Sequence, residues 1–258
     1  MKFYKYQGTG NDFIMIDNRN LTFPKADVLL IKKWCDRRFG IGGDGLILLE
    51  NEVGVDFKMV YFNSDGNQST MCGNGGRCLV AFAKQLGIIT NKAVFTAVDG
   101  LHHATINDQN RVSLQMTDVN EVQVEADFTF LNTGSPHHVQ MVADLQNYDV
   151  KKRGSAIRYS DRYKKEGSNI NFVAQISTNS FALRTYERGV EDETLSCGTG
   201  ATAAAIAMYV LHKTNANLIN IDVLGGQLSV AFTENDGIFT NVLLSGAATF
   251  VFEGVIEL

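Results

Sequence analysis

Two kinds of hydrophobic pattern alternate along the chain. Apolar and polar residues alternate with a period of two in KFYKYQGTGNDFIMID at the N-terminus and again in VDFKMVYFN, residues 55–63. Such alternation predicts strands. Between these segments, residues 24–38 (PKADVLLIKKWCDRR) have helical periodicity, with a proline at the start and Gly40 just past the end. We therefore expect an amphipathic helix there.

Two other segments are small and apolar on nearly every side. They are residues 78–86 and residues 201–211, and each follows a Cys-Gly-x-Gly sequence. A helix without a polar face is buried on every side, and these are too short to span a bilayer. We predict two buried helices, the first ending near Gly87, each placed inside a curled sheet.

The order of these patterns is repeated. A strand and a turn precede each Cys-Gly-x-Gly, and a pair of strands follows each helix, around Asp99-Gly100 in the first copy and Gly225-Gly226 in the second. Cys72 and Cys197 lie 125 residues apart. That period is too long for a solenoid repeat and suits two homologous domains.

We therefore predict an α+β fold of two pseudo-symmetric domains. Each is expected to be a curled, antiparallel-rich, barrel-like sheet around a central buried helix, with the active site in the cleft between the two. The predicted halves are residues 1–118 and residues 119–247. The last strand, near residues 248–258, has a sequence that allows pairing in either half, and we assign it to the first.

Composition narrows the classes of function. The chain has 258 residues, 45% hydrophobic and 20% charged, and a formal net charge of −5, which disfavours a general nucleic-acid surface. No signal-peptide pattern and no apolar run of about 18 residues occurs, so we expect no membrane association and a cytoplasmic protein with reduced thiols. No two of the four cysteines form C-x-x-C, which disfavours zinc and thioredoxin-like sites.

The repeated Cys-Gly-x-Gly carries the candidate chemistry. A helix start leaves backbone N–H groups without intrahelical partners and has partial positive charge, so it binds carboxylates and favours a nearby thiolate. Two such thiols, Cys72 and Cys197, would allow one to remove a proton from one face of a carbon while the other delivers a proton to the opposite face. This is the chemistry of a racemase or epimerase, and it needs neither metal nor pyridoxal phosphate. We expect no cofactor.

At this point the chain resembles a known family, the diaminopimelate epimerases, over essentially its whole length. The resemblance rests on GTGNDF (8–13), FNSDG (62–66), CGNGGRC (72–78), GSPH (134–137), NINF (169–172) and YERGVEDETLSCGTGA (186–201). It implies interconversion of LL- and meso-2,6-diaminopimelate in lysine and peptidoglycan-precursor biosynthesis. It also implies an isomerase independent of pyridoxal phosphate, a two-base mechanism, a small-molecule substrate and a homodimer.

The resemblance also implies roles for single residues. Cys72 and Cys197 would be the acid–base thiols, with His137 and Glu187 orienting or deprotonating them. The residues implied in substrate binding fall into three groups. The backbone amides of Gly73, Asn74, Gly198 and Thr199 would bind the reacting carboxylate, and Glu187 and Asn63 would bind the reacting amine. The distal end of the substrate, which is the amino-acid group that keeps its configuration, would be bound by Asn11, Asn63, Asn169 and Arg188.

Two positions depart from the pattern of the family. Ser135 stands where the family often has an asparagine that helps to hold the distal carboxylate, and Gly45 stands where a glutamine often follows the aspartate. Both replacements shorten a side chain near the distal end. The two replacements therefore affect the implied recognition of the distal end of the substrate more than the implied inversion at the α-carbon.

Three other functions remain as alternatives. One is a racemase or epimerase of another amino acid, similar to the proline racemases, which would not need Arg188 and the asparagines. Another is a binding relative without the thiol pair, which the presence of both cysteines disfavours. The last is a redox protein using Cys72 and Cys78, which the absence of C-x-x-C disfavours.

The remaining polar and thiol groups have simpler interpretations. We expect Cys35 and Cys78 to be core residues and Asp17 and Asp44 to be turn or cap residues. In each pair of adjacent histidines, His102 with His103 and His137 with His138, we expect the two side chains to point to opposite faces of a strand.

Overall fold

The computed structural model describes residues 1–69 and 71–257. The chain divides into two compact units, Met1–Leu114 with Gly246–Leu258, and Gln115–Ser245. The domain boundaries near residues 118 and 248 remain a prediction from the sequence. No helix in the described part of the chain has the length and apolar character needed to cross a bilayer.

The first unit contains eight named strands and two helices in the described residues. In chain order they are β1 (Lys2–Gly8), β2 (Asn11–Asp17), α1 (Val28–Cys35), β3 (Gly45–Glu50), β4 (Phe57–Asn63), α2 (Gly73–Gln85), β5 (Lys92–Ala97), β6 (Gly100–Ile106), β7 (Arg111–Gln115, whose last residue belongs to the other unit) and β17 (Thr249–Val255).

The strand pairs of this unit are mostly antiparallel. These are β1 with β2, β3 with β4, β5 with β6, β6 with β7, and β1 with β17. The pairs β2–β3 and β4–β5 are parallel, and each is joined by a helix, as a parallel connection requires. The last strand therefore pairs with the first.

The second unit repeats this order. Its elements are β8 (Val122–Val124), β9 (Thr129–Asn132), β10 (Pro136–Met141), α3 (Val150–Arg158), β11 (Asn169–Ser177), β12 (Ser180–Glu187), β13 (Asp192–Thr194), α4 (Gly198–Val210), β14 (Leu218–Val223), β15 (Gly226–Asn235) and β16 (Ile238–Ala247). The parallel pairs β10–β11 and β12–β14 are joined by α3 and α4, and β8–β9, β9–β10, β11–β12 and β14–β15 are antiparallel.

Each unit curves around its second helix. The helix α2 contacts β1, β2, β3, β6 and β17, and α4 contacts β9, β10, β11, β12, β14 and β15. The run Cys78–Ala83 of α2 and the run Ala201–Met208 of α4 are buried, because strands surround these helices on several sides. The predicted α+β class and buried central helices are confirmed, but the mixed sheet is not closed into a barrel.

The helix limits differ from the sequence prediction. The first helix begins at Val28 and not at residue 24, because the Asp27 side chain caps it by accepting from the Leu30 N–H at 2.9 Å. It ends at Cys35, since Asp36 has an extended conformation. The two central helices begin earlier than predicted, directly after Cys72 and Cys197.

Candidate active site

Cys72 is the residue that precedes the first turn of α2. Its backbone is extended, with φ −108° and ψ 120°, and its side chain does not cap the helix. The Sγ atom instead lies 3.6 Å from Oδ1 of Asn11, which also accepts from Nδ2 of Asn74 at 3.3 Å. The motifs GTGNDF and CGNGGRC thus meet at the start of this helix.

Asp44 holds the other end of Asn11. Its Oδ2 accepts from Nδ2 of Asn11 at 2.6 Å, and its Oδ1 accepts from Arg37 at 2.8 Å. Asp44 lies in a bend directly before β3, which agrees with the expected turn residue, and its side chain in addition holds Asn11. A carboxylate accepts only, so this contact orients the asparagine amide and turns its Oδ1 toward Cys72.

Asp12 extends this network. Arg37 donates to both of its carboxylate oxygens, at 2.9 and 2.6 Å, and Lys5 lies 2.7 Å away. Burial by itself raises the pKa of Asp12, but the hydrogen bonds and positive charges of Arg37 and Lys5 outweigh it and hold the pKa well below its usual range. The network therefore stays charged and fixed at physiological pH.

Cys35 and Cys78 are core residues, as predicted. Both side chains are buried, and burial raises the pKa of each thiol to about 12. Neither is a thiolate at neutral pH. The interpretation of Cys72 with Cys78 as a redox pair gains no support from this environment.

Cys197 precedes the first turn of α4 in the same way as Cys72 precedes that of α2. Its φ is −118° and its ψ is 111°, and its side chain does not cap the helix. The Sγ atom lies 3.5 Å from the Thr199 hydroxyl, and the hydroxyl of Thr133 donates to the Thr199 carbonyl at 2.9 Å. The second unit thus repeats the arrangement of a thiol at a helix start.

Gly200 packs against Asn171 at this helix start. A Cβ atom on Gly200 would lie 2.6 Å from Oδ1 of Asn171 and 3.3 Å from Sγ of Cys197. Gly200 therefore serves the close packing of the helix on Asn171, since real Cβ atoms do not approach oxygen so closely.

His137 is fully buried on β10. Its Nδ1 lies 3.0 Å from Nδ2 of Asn171, which also donates to the His138 carbonyl at 2.9 Å. Because a carbonyl only accepts, the amide nitrogen faces the imidazole, and Nδ1 must be the acceptor. The Nε2 atom therefore carries the proton, and no hydrogen-bond partner for it occurs among the described residues.

The same histidine is neutral. Burial lowers its pKa to about 3, and the positive charge of Arg188 adds to that effect. A neutral ring with its proton on Nε2 offers a hydrogen-bond donor at that atom. A second proton could be added only at Nδ1, and burial disfavours the charged ring that would result.

Glu187 and Asn63 occupy matching positions, as the last residues of β12 and β4. Oε2 of Glu187 accepts from the Thr194 hydroxyl at 2.8 Å. Asn63 is exposed, and its N–H donates to the Asn67 carbonyl at 3.0 Å. The sequence repeat thus corresponds to equivalent strand ends.

Asn169, Arg188 and Ser135 form one polar cluster in the second unit. Oδ1 of Asn169 accepts from the Arg188 N–H at 2.9 Å, and its Nδ2 donates to the Ser135 hydroxyl at 2.9 Å. The Arg188 guanidinium donates to the Glu166 carbonyl at 2.9 Å and lies 3.4 Å from the Ser135 hydroxyl. Ser135 therefore contacts two of the residues that the resemblance implies in recognition of the distal end of the substrate.

The other histidines lie elsewhere. Nδ1 of His138 lies 3.1 Å from the Tyr163 hydroxyl, whereas His137 faces Asn171. His102 bonds to Asp99 at 2.9 Å, and the neighbouring His103 is exposed. The described residues contain no group of three or more His, Cys, Asp or Glu side chains able to hold a metal ion.

Sequence reasoning missed Asn171, Asp44 and Arg77. Asn171 stands two residues after Asn169 on one strand, and that spacing places both side chains on one face, which was the available signal. Arg77 is a buried charge in α2, whose other charged residue, Lys84, lies in the last turn. Asp44 had no local signal, because it meets Asn11 only through the pairing of β2 with β3.

The chain matches the family model described as diaminopimelate epimerase over residues 3–122 and 129–251. It is 67% identical over 256 residues to a diaminopimelate epimerase from Flavobacterium psychrophilum, covering 99% of this chain and 100% of that protein. It is 40% identical over 273 residues to one from a Hydrogenobaculum species, with 98% and 97% covered.

Solved structures show the same fold at low identity. A phenazine biosynthesis protein of the PhzF family from Bacillus anthracis has a TM-score of 0.79 at 13% identity, with 100% of this chain and 99% of that chain covered. A hydroxyproline epimerase from Agrobacterium vitis has a TM-score of 0.69 at 14% identity, with 98% and 91% covered. By the family match and the identity to its relatives, the chain belongs to the diaminopimelate epimerase family.

Proposed function

We propose that this protein epimerises LL-2,6-diaminopimelate to the meso form by a two-thiol mechanism without a cofactor. The observation that carries the proposal is the repeated placement of a cysteine before the first turn of a buried helix, at Cys72 and Cys197, in a chain of this family. The relatives named as diaminopimelate epimerases favour this substrate over another amino acid.

The reaction moves one proton off and another proton onto the same carbon. A thiolate takes the α-proton, the C–H electron pair moves into the adjacent carboxylate as an enediolate, and the other thiol donates a proton to the opposite face. The first cysteine ends as a thiol and the second as a thiolate, so atoms and charge balance. Positioned general acids and bases contribute roughly 10²–10⁴-fold each.

The helix starts supply the electrostatic part of this proposal. Backbone N–H groups in the first turns, at Gly73 and Asn74 and at Gly198 and Thr199, would bind the reacting carboxylate. The partial positive charge of a helix start stabilises the enediolate more than the carboxylate, because charge increases on these oxygens in the transition state.

His137 and Glu187 have different parts in the proposed mechanism. The neutral ring of His137, protonated at Nε2, supports an orienting role as a hydrogen-bond donor and not the removal of a proton from a thiol. Glu187 accepts from Thr194 through one oxygen, and we propose that its carboxylate holds the reacting ammonium group together with Asn63.

We propose that asparagines and one arginine recognise the distal amino-acid group of the substrate. In the second unit, Asn169 and the Arg188 guanidinium converge on Ser135. An arginine binds a carboxylate in a bidentate manner, and this supports Arg188 as the partner of the distal carboxylate. In the first unit, Asn11 and Asn63 are the proposed contacts.

The test is incubation of the protein with pure LL-diaminopimelate in deuterated water without cofactors. We expect meso product with deuterium at one α-carbon, and loss of activity by at least about 10²-fold in Cys72→Ala and in Cys197→Ala. Cys78→Ala is the matched control, because the second helix has Ala203 at that position. Full turnover in either site variant would overturn the two-thiol mechanism.

We also propose a homodimer in the cytoplasm, on the basis of the family resemblance. Light scattering of the purified protein across a dilution series measures the oligomeric state. A mass of one chain at micromolar concentration would contradict the dimer.

A further inference from the structure

Arg77 is a buried charge in the helix α2, whose other buried side chains are uncharged. It lies five residues after Cys72 in α2 and has 0% of its surface exposed. At the matching position, five residues after Cys197, α4 has Thr202, whose hydroxyl donates to the Gly198 carbonyl at 3.1 Å. The two helix starts therefore differ by one positive charge.

The described residues give this guanidinium a neutral partner and no carboxylate. One terminal nitrogen donates to the Thr9 hydroxyl at 3.2 Å, while Nε and the other terminal nitrogen have no hydrogen-bond partner there. Arginine does not lose its proton in proteins, and a buried charge is costly unless an opposite charge lies close to it. Arg77 therefore needs an anion.

The groups whose negative charge would stabilise Arg77 are two cysteine side chains. Burial lowers the pKa of Arg77, and a negative charge on Cys78 or on Cys72 would raise it. Burial raises the pKa of Cys78 to about 12, so at neutral pH that residue is a neutral thiol. Cys72, which is only partly buried, remains as the group that can supply the negative charge.

Arg77 lies close to the segment that contacts Cys72. Thr9, which accepts from the guanidinium, is two residues before Asn11, and Oδ1 of Asn11 lies 3.6 Å from Sγ of Cys72. A long side chain on a helix points back toward the helix N-terminus, which is the end where Cys72 stands.

We propose that Arg77 is a positioning residue that makes Cys72 the more acidic of the two site thiols, so that the resting protein holds Cys72 as the thiolate and Cys197 as the thiol. A two-thiol reaction needs one base and one acid at the start of each turnover. This catalytic consequence rests on the proposed function, whereas the difference in acidity does not.

Charged groups on the neighbouring strands also affect the pKa values of Arg77 and Cys78. Arg111 on β7 lowers the pKa of Arg77, and Asp12 on β2 raises that of Cys78. Asp12 is neutralised by Lys5 and Arg37. Burial raises the pKa of Tyr6 on β1 well above its usual value, so this residue is a neutral phenol at physiological pH.

The test is the rate of alkylation by iodoacetamide at each cysteine between pH 5 and 10, read by peptide mass spectrometry. In the unmodified chain we expect the midpoint for Cys72 to lie at least about one pH unit below that for Cys197. In Arg77→Met the Cys72 midpoint should rise by about one unit or more, and its alkylation at pH 6 should slow about tenfold, because each unit changes the thiolate fraction tenfold.

Thr202→Val is the matched control in the second helix, and it should leave the Cys72 midpoint unchanged. Equal midpoints for the two cysteines in the unmodified chain would overturn the proposal even if Arg77→Met did not fold. An unchanged Cys72 midpoint in a folded Arg77→Met would overturn it too. Because alkylation needs no turnover, these outcomes are independent of whether diaminopimelate is the substrate.

Discussion

The amide nitrogen of Asn171 lies 3.0 Å from Nδ1 of His137 and fixes the tautomer of the buried imidazole. The orientation of the asparagine is itself fixed, because its nitrogen donates to the His138 carbonyl and its Oδ1 accepts from the Thr185 hydroxyl at 2.9 Å. One asparagine thus determines which nitrogen of His137 carries the proton.

Asn171→Leu should lower kcat for diaminopimelate at least about tenfold, because the ring loses the hydrogen bond that orients it and a buried ring nitrogen is left unsatisfied. Thr185→Val, which removes only the group that holds Asn171, should have a smaller effect in the same direction. Steady-state kinetics measures both. An unchanged kcat in a folded Asn171→Leu would show that the tautomer of His137 has no catalytic role.

Acid should destabilise the protein through His137. Its pKa is about 3 in the folded chain, whereas the ordinary pKa of a histidine side chain is 6.5, so the unfolded chain binds the proton more tightly between these values. The contribution is complete above pH 6.5 and is lost as the pH falls, at about 1.4 kcal/mol per unit.

Urea unfolding of the unmodified chain and of His137→Gln at pH 7 and pH 5 measures this contribution. The free energy of unfolding of the unmodified chain should fall more between these pH values than that of the variant. His103→Gln, which changes an exposed side chain, is the control. Parallel pH dependences of the unmodified chain and His137→Gln would contradict the assignment.

Gly200→Ala should impair both folding stability and activity, because the added Cβ would stand 2.6 Å from Oδ1 of Asn171. Overpacking of this kind costs about 1–3 kcal/mol. Combined with Asn171→Ala, which removes the clashing oxygen, Gly200→Ala should cost much less than it does alone. A double-mutant cycle of unfolding free energies measures this coupling, and simple additivity would argue against the contact.

Arg188→Ala should reduce kcat/KM for diaminopimelate by at least about tenfold, since a charged hydrogen bond to a carboxylate contributes roughly 1.5–3 kcal/mol. The loss for an amino acid without a distal carboxylate should be much smaller. Arg153→Ala, at an exposed arginine of α3 in the same unit, should change neither rate. Equal losses of kcat/KM for both substrates would show that Arg188 does not bind the distal carboxylate.

The pattern of apolar and polar residues predicted the strands and helices that hold the candidate catalytic residues. The alternation in β1, β2 and β4, the hairpin around Asp99-Gly100 and the two apolar helices all follow from residue order, because strand and helix periodicity are properties of neighbouring residues. The repeat also marked Cys72 and Cys197 as a pair and Cys78 as a core residue.

The other features of the candidate site depend on contacts between residues that are distant in the sequence. The sequence by itself determined two cysteines at equivalent helix starts and the strands that precede them. Only the tertiary structure decided that Asn171 orients His137, that the Asp44 carboxylate orients Asn11, and that Arg77 is buried without a carboxylate partner among the described residues. Those contacts join positions brought together by strand pairing and helix packing, and the physical reason is that hydrogen bonding and burial depend on neighbours in space, which residue order alone does not specify.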